Sequence, residues 1–481
     1  MLVKTNRQFT ILTIGLALVS FAGCSGSSDY PEAFKSRFVY SDRTDSLIAE
    51  AQNGIGELPG VKKLVDDRFG DPQDLMAWTK LPIDFGGISG KLAETPDASI
   101  AVKELKISFD GELATAENET ILLQFVTGTA APSVVVVNAW QPETGLASLS
   151  AAMEVAPAAG DEVIVGGGQK LVHGRGLYMR HCSHCHGTSG DGAGPTAQYL
   201  TPRPRDYRHG VFKFTSTDAL SKASKDDLSR VLRNGIPGTY MPSFVPMLNE
   251  DDLADVVEYV RFLAMRGEFE RKVVSELASD YSEEAVKSRR DSGESRKDIV
   301  EELKSFLAED MQDSLEFVTD DLSGRWDSAN SEDALVVPEI ARVEDTIESR
   351  RIGRELYLSK TINCADCHGI SAKGNGPQTT IYEENPVTKQ LYTEPGLHDV
   401  WDNVNQPRNL TQGIYRGGRR PIDLFRRIHA GIKGSRMPSF KNLKHEDIWH
   451  IVNYVLSVPF NAEPGHAPVA TSEDPATAAS L

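Results

Sequence analysis

Apolar residues recur at helical spacing in Leu253, Val256, Val257, Val260 and Leu263, which predicts an amphipathic helix over residues 251–263. Asn249 stands before it as an N-cap, with acids in the first turn. Gly174 and Tyr178 lie four apart and so share one helical face. The glycine admits a close neighbour and the ring fills the contact, so this face is expected to cross the 251–263 helix. Ile299, Leu303, Phe306 and Leu307 form another stripe inside the charged stretch 267–345. That stretch reads as a helical connector, with Gly293 and Gly324 limiting its helices. The period changes in residues 99–109, 120–126 and 133–140, which are rich in β-branched side chains and read as strands. Short helical pieces at 46–51 and 61–68 precede them, separated by Gly54, Gly56, Pro59 and Gly60. Residues 151–168 read as an Ala-, Pro- and Gly-rich linker, and 461–481 as a disordered tail. The pattern predicts a mainly α chain preceded by a small α+β or β region.

A chain of 481 residues is too long for one small core, so two to four domains are expected. The formal charge of −18 excludes a nucleic-acid-binding surface and favours a basic partner. Asp66, Asp67, Asp71 and Asp74 match no calcium loop and read as a solvated acidic surface. Of the five cysteines, four fall in Cys182-Ser-His-Cys185-His186 and Cys364-Ala-Asp-Cys367-His368. Cys-x-x-Cys-His is the signature of covalent haem attachment: two thiols on one turn add to the vinyl groups, and the histidine becomes the proximal iron ligand. The alternative is a zinc or dithiol site, which the following histidine and the doubling of the motif disfavour. Cys182, Cys185, Cys364 and Cys367 are thus the cofactor-binding candidates, and His186 and His368 the metal ligands, for two covalently bound haem c groups.

The repeat extends well beyond the cysteines. Gly174-Arg-Gly-Leu-Tyr178 matches Gly353-Arg-Glu-Leu-Tyr357, and Gly192-Ala-Gly194-Pro195 matches Gly374-Asn-Gly376-Pro377. Pro204-Arg-Asp-Tyr207 matches Pro407-Arg-Asn-Leu410, and Tyr259 matches Tyr454. Gly238-Thr-Tyr-Met241-Pro-Ser-Phe244 matches Gly434-Ser-Arg-Met437-Pro-Ser-Phe440. A methionine in the same frame after each haem motif is read as the second axial ligand, which raises the reduction potential. The second copy carries an insertion near 378–406. The remaining histidines, His173, His181, His184, His209, His398, His429, His445, His450 and His466, recur at no equivalent place and read as surface residues. Arg205 and Arg408 do recur and are candidates for pairing with haem propionates, ahead of Arg203, Arg208, Arg416, Arg419 and Arg420.

Lys4 and Arg7 precede an apolar run from 9 to 23, the length of a signal region and too short for a comfortable transmembrane helix. It ends at Phe21-Ala-Gly-Cys24 and resembles a bacterial lipoprotein signal, in which Cys24 becomes the acylated first residue. Phe21 departs from the small aliphatic residue usual at that place, and the alternative is an ordinary secretory signal. An exported, membrane-anchored protein on the periplasmic side is expected. The expected layout is a signal over 1–23, a region of unknown role over 24–165, haem blocks over 166–266 and 346–460 joined by the connector, and the tail.

The matched motifs resemble class I c-type cytochrome domains over under half of the chain. The layout also resembles di-haem lipoproteins associated with bacterial aerobic respiratory complexes. That resemblance implies two helical cytochrome domains, electron transfer with no chemistry on a small-molecule substrate, and redox partners such as a quinol-oxidising complex or a terminal oxidase. It also implies a backbone carbonyl after each haem histidine that accepts the Nδ1–H, with Pro195 and Pro377 as candidates. The alternatives are a di-haem peroxidase-like enzyme with one labile axial methionine, or a docking subunit of a respiratory complex.

Overall fold

Ser41 accepts the Thr44 N–H on its hydroxyl, which caps helix α1 (Asp42–Gly54). The computed structural model describes residues 37–56, 60–73, 75–96, 102–109, 121–130, 134–141, 143–153, 155–166 and 168–460. The signal, Cys24, Asp74, His466 and the 461–481 tail lie outside them. Helix α2 (Val61–Phe69) buries Val61, Val65 and Phe69, matching the sequence expectation for both short helices.

Six strands follow: β1 (Ile88–Leu92), β2 (Glu104–Phe109), β3 (Ile121–Phe125), β4 (Val134–Gln141), β5 (Leu146–Leu149) and β6 (Glu162–Val165). They close an antiparallel barrel in the order β1-β2-β5-β4-β3-β6. Alternation sends Leu105, Ile107, Leu123, Phe125, Val163 and Val165 into one core. Closure depends on β6, which pairs with β1 (Ile88 opposite Val165) and with β3 (Leu123 opposite Val165). The stretch 151–168, read as a linker, therefore contains the closing strand. Its Val163 and Val165 alternate correctly, but four strand residues are outweighed by the Ala, Pro and Gly around them.

The first repeat is built on α3 (Gln169–His181), the short α4 (Ser183–His186), α5 (Lys225–Asn234) and α6 (Glu250–Tyr281). As expected, Asn249 and Asp252 form a reciprocal capping box at the start of α6. The helix then runs past residue 263 to Tyr281. Its charged residues Arg261, Arg266 and Glu270 are at most 1% exposed. Each is paired. Arg261 meets Glu258 at 2.5 Å, and Arg266 meets Glu270 at 3.5 Å. Glu268 takes the Trp326 indole N–H at 2.6 Å and also holds Lys222. The elements on either side of the repeat cover this end of α6, so its charges are buried as pairs.

The connector comprises α7 (Glu283–Asp291), α8 (Arg296–Ala308) and α9 (Asp310–Ser328). Ile299 and Leu303 of the predicted stripe are fully buried. Gly293 separates helices as expected, but Gly324 lies inside α9, where a side chain would meet open space and nothing forces a break. The second repeat comprises α10 (Ile347–Leu358), α11 (Cys364–His368), α12 (Pro421–Ala430) and α13 (His445–Ser457).

The two repeats share one helix crossing. A Cβ on Gly174 would lie 2.7 Å from the Asp255 carbonyl carbon, and one on Gly353 2.5 Å from the carbonyl carbon of His450. Tyr178 packs on Tyr259 with ring centroids 5.2 Å apart, and Tyr357 on Tyr454 at 5.3 Å. The repeats are also held to each other. Arg230 bonds Asp423 at 3.1 Å, and Lys433 donates to the Ser221 carbonyl at 2.6 Å. Val336, in the connector after α9, is buried in the second repeat's core, and its carbonyl accepts from Arg426 at 3.0 Å. Among the described residues no helix is long and apolar enough to cross a membrane.

Candidate functional site

Each Cys-x-x-Cys-His sits on a single short helix, α4 or α11, at the end of the glycine-bearing helix. The turn that follows is fixed from below. Tyr178 donates its hydroxyl to the Gly187 carbonyl at 2.8 Å, and Tyr357 to that of Gly369 at 2.7 Å. This accounts for the repeated Gly-x-x-x-Tyr: one residue sets the helix contact and the other ties the histidine turn to it. The Gly-x-Gly-Pro step then folds back along the cysteine helix. Gly194 N–H bonds the Cys185 carbonyl at 3.2 Å, and Gly376 N–H that of Cys367 at 3.1 Å. A Cβ at Gly194 would lie 2.5 Å from the Ser183 and His184 carbonyl oxygens, so only glycine is accommodated.

Both haem-motif histidines are half-buried and oriented alike. His186 Nδ1 donates to the Arg205 carbonyl at 3.2 Å, and His368 Nδ1 to the Arg408 carbonyl at 3.4 Å. Pro195 and Pro377, the expected acceptors, are not used. Their segment is drawn onto the cysteine helix, where Thr196 N–H bonds the His184 carbonyl at 3.0 Å. The Pro-Arg-Asp/Asn segment crosses the ring instead, and in the first repeat Tyr207 stacks on His186 at 4.8 Å. Burial pushes His186 down to about 4 and also lowers His368. Both imidazoles are therefore neutral at pH 7, with Nδ1 occupied and Nε2 left as the ligating nitrogen.

The methionines stand in matched loops. Ile236 N–H bonds the Met241 carbonyl at 3.0 Å, and Ile432 N–H that of Met437 at 3.2 Å. Thr239 and Ser435 hydroxyls accept the Met241 and Met437 N–H groups at 3.1 and 3.2 Å. Phe244 and Phe440 anchor the far ends of the loops through N–H bonds to Leu232 and Ile428.

All eight candidate residues, Cys182, Cys185, His186, Met241, Cys364, Cys367, His368 and Met437, line one continuous cavity of about 830 Å³. Leu228, Leu232, Val257 and Val260 wall it in one repeat, and Leu424, Ile428, Ile451 and Val455 in the other. Burial pushes the Cys182 and Cys364 thiols up to about 12, so both are protonated at neutral pH in the unloaded chain. Arg205, Lys213, Arg408, Arg416 and Arg427 also line the cavity. The buried Nε of Arg416 has no hydrogen-bond partner among the described residues. An apolar slot with two oriented imidazoles, paired thiols and a half-buried guanidinium whose Nε has no hydrogen-bond partner among the described residues suits a planar apolar macrocycle carrying carboxylates.

Arg205 and Arg408, the recurring candidates, both face this cavity. Arg208 is instead committed to Asp206, and Arg420 to Asp423, at 2.9 and 2.8 Å. Arg416, one of the lower-ranked candidates, lines the cavity too, while Lys213 and Arg427 are additions that sequence reasoning passed over. Lys213 and Arg416 occupy the same place after the Pro-Arg segment, so a repeated cation was the available signal. His181 and His184 also line the cavity, by virtue of their motif neighbours. His398, expected on the surface, is 6% exposed and stacks on Tyr392. The insertion that carries it folds against the first repeat and is not free in solvent.

A family model described as Cytochrome c matches residues 171–264 and 351–459. Cytochrome c55X of Paracoccus denitrificans (strain Pd 1222) is 30% identical over 86 residues, which is 18% of this chain and 67% of that one. A chain of the Kuenenia stuttgartiensis reducing HAO-like protein complex aligns over 60% of this chain and 95% of its own, with 22% identity and a TM-score of 0.39. With the Cys-x-x-Cys-His helix and its oriented histidine built twice around one cavity, the chain belongs to the cytochrome c family as a di-haem c-type cytochrome.

Proposed function

We propose that this protein is an electron carrier in which His186 with Met241, and His368 with Met437, are the two axial pairs. Haem c supplies reversible one-electron chemistry. The chain's own contribution is position and environment. Cys182, Cys185, Cys364 and Cys367 hold the two groups covalently, and the Arg205 and Arg408 carbonyls fix the imidazoles. The matched Gly-x-x-Met loops would offer a neutral thioether as the second ligand of each haem. Helices α5, α6, α12 and α13 keep the pockets apolar. The observation that carries the reading is the single cavity common to both donor sets. Two redox centres in one enclosure make the chain a relay, receiving an electron at one repeat and passing it on from the other.

The relay serves a respiratory chain, with a quinol-oxidising complex or a terminal oxidase as its partner. The protein is exported and held at the membrane through lipidated Cys24. Its acidic balance suits encounter with a basic partner surface. Residues 166–266 and 346–460 are the two cytochrome domains, and 24–165 with 267–345 form the framework that carries them.

The test is rapid reduction with less than one electron per protein, followed by optical observation of the redistribution between haems. An internal relay gives a redistribution rate independent of protein concentration. A rate that rises in proportion to concentration means exchange between molecules and contradicts it.

A further inference from the structure

The repeats face each other reciprocally. Gly238, at the start of the Met241 loop, packs against Ile414 and Arg408 of the second repeat. Gly434, its equivalent, packs against Val211 of the first, which is the equivalent of Ile414. This pseudo-two-fold relation breaks at one place. Arg408 is the nearest side chain to Gly238, but its counterpart Arg205 is not among the nearest to Gly434. The ring of Trp401, from the second repeat's insertion, lies there instead. Arg205 stacks on that ring at 3.5 Å from its centroid.

The insertion is seated firmly. Val400 N–H bonds the Gly434 carbonyl at 3.1 Å. Asp399 accepts from the Trp401 and Asn403 N–H groups at 3.1 and 3.2 Å, and its side chain is 5% exposed. That carboxylate is turned toward the other repeat. It meets Lys213 at 2.9 Å and Arg205 at 3.9 Å. Lys213 and Arg205 belong to the first repeat, line the cavity, and have no second carboxylate within ion-pair distance among the described residues. Their counterparts Arg416 and Arg408 have no carboxylate partner there at all. Arg205 is also the residue whose carbonyl holds His186.

We propose that the insertion of the second repeat acts in trans: Asp399 and Trp401 are positioning residues for the first haem, fixing Arg205 and offsetting the charge of Arg205 and Lys213. This rests on the di-haem electron-transfer reading above. An oxidised haem carries one more positive charge than a reduced one, so a neighbouring anion favours oxidation and a neighbouring cation favours reduction. Asp399 therefore holds the first haem's potential down. The step it governs is the transfer of one electron between the two haems, with no bond made or broken.

The test is a redox titration of the full-length di-haem protein followed by NMR of the haem methyls. Contacts of those methyls with Tyr207 or with Leu410 tell the two haems apart whatever their sixth ligands. The measurement is made at about pH 6, where the Lys213 amine keeps its proton. Asp399→Asn raises the first haem's potential by about a tenfold change in equilibrium constant, about 59 mV for one electron. The second haem moves by less than half of that. Lys213→Met shifts the first haem in the opposite direction, which keeps the test decisive should Asp399→Asn not fold. A second haem that moves as far as the first, or a first haem unmoved by both substitutions, overturns the proposal. Failure of the His/Met reading is seen separately, as the absence of an upfield methionine methyl signal for either haem in the reduced protein.

Discussion

Gly174 and Gly176 lie two residues apart on α3, and substitution by alanine is expected to have opposite effects at them. A Cβ at 174 would fall inside the envelope of the Asp255 carbonyl, 2.7 Å from its carbon and 3.3 Å from Tyr259 Cβ. Carbon atoms pack at about 3.5 Å or more, so α3 and α6 would have to separate by about 1 Å. Overpacking of this kind costs about 1–3 kcal/mol, and a helix backbone, unlike a flexible side chain, cannot turn aside, so the upper figure applies. Alanine regains about 1 kcal/mol of helix propensity, which leaves Gly174→Ala destabilised by about 2 kcal/mol. At 176 a Cβ meets nothing within 4 Å, so only the propensity gain remains and the variant is more stable by up to about 1 kcal/mol. Guanidinium unfolding of the haem-loaded protein, followed by haem absorption, reads both. A midpoint for Gly174→Ala at or above that of the parent would refute the close crossing on which the haem-motif helix is mounted. Gly353→Ala repeats the experiment at the second crossing and is expected to behave as Gly174→Ala does.

Tyr178→Phe and Tyr357→Phe each leave a buried carbonyl, Gly187 or Gly369, without its donor, and are expected to cost about 1–3 kcal/mol apiece in the same unfolding assay. A cost near zero at both would mean the histidine turn holds itself. Trp326→Phe removes the 2.6 Å bond to buried Glu268 and is expected to lower stability by about 1.5–3 kcal/mol, whereas a neutral result would mean Lys222 alone satisfies that carboxylate. His209 is held down to about 4 by burial, with Arg271 adding to the effect. Its neutral form is the native one, so between pH 6.5 and about 4 the unfolded chain binds more protons and stability falls as pH falls. His209→Gln should flatten that part of the stability profile, and an unchanged slope would assign the acid sensitivity to other groups.

The haem-binding chemistry was legible because it is local and written twice. Cys182 to His186 and Cys364 to His368 need only one helical turn each, and the Gly-x-x-Met-Pro-Ser-Phe frame fixes a loop by its own hydrogen bonds. The α3–α6 crossing was legible for the same reason, from Gly174, Tyr178 and the stripe beginning at Leu253. What escaped depends on partners distant in sequence. Arg261, Arg266 and Glu270 carry no burial signal in their own stretch, because it is the N-terminal segment and α9 that cover them. The strand β6 has four residues, and its identity comes from pairing with β1 and β3. Pro195 and Pro377 follow the two histidine motifs at the same interval, but the carbonyls that reach His186 and His368 come from Arg205 and Arg408, because the intervening segment is bound to the cysteine helix. The role of the insertion was invisible in sequence, since Asp399 and Trp401 find their partners only across the interface between repeats.

The most direct measurement of the central claim is the absorption spectrum of the fully reduced protein exposed to carbon monoxide. With Met241 and Met437 filling the sixth positions, neither haem binds it and the spectrum is unchanged. Stoichiometric binding at one haem would reveal an open iron. The methionine assignment in that repeat would then fail, and with it the reading of the protein as a simple electron carrier.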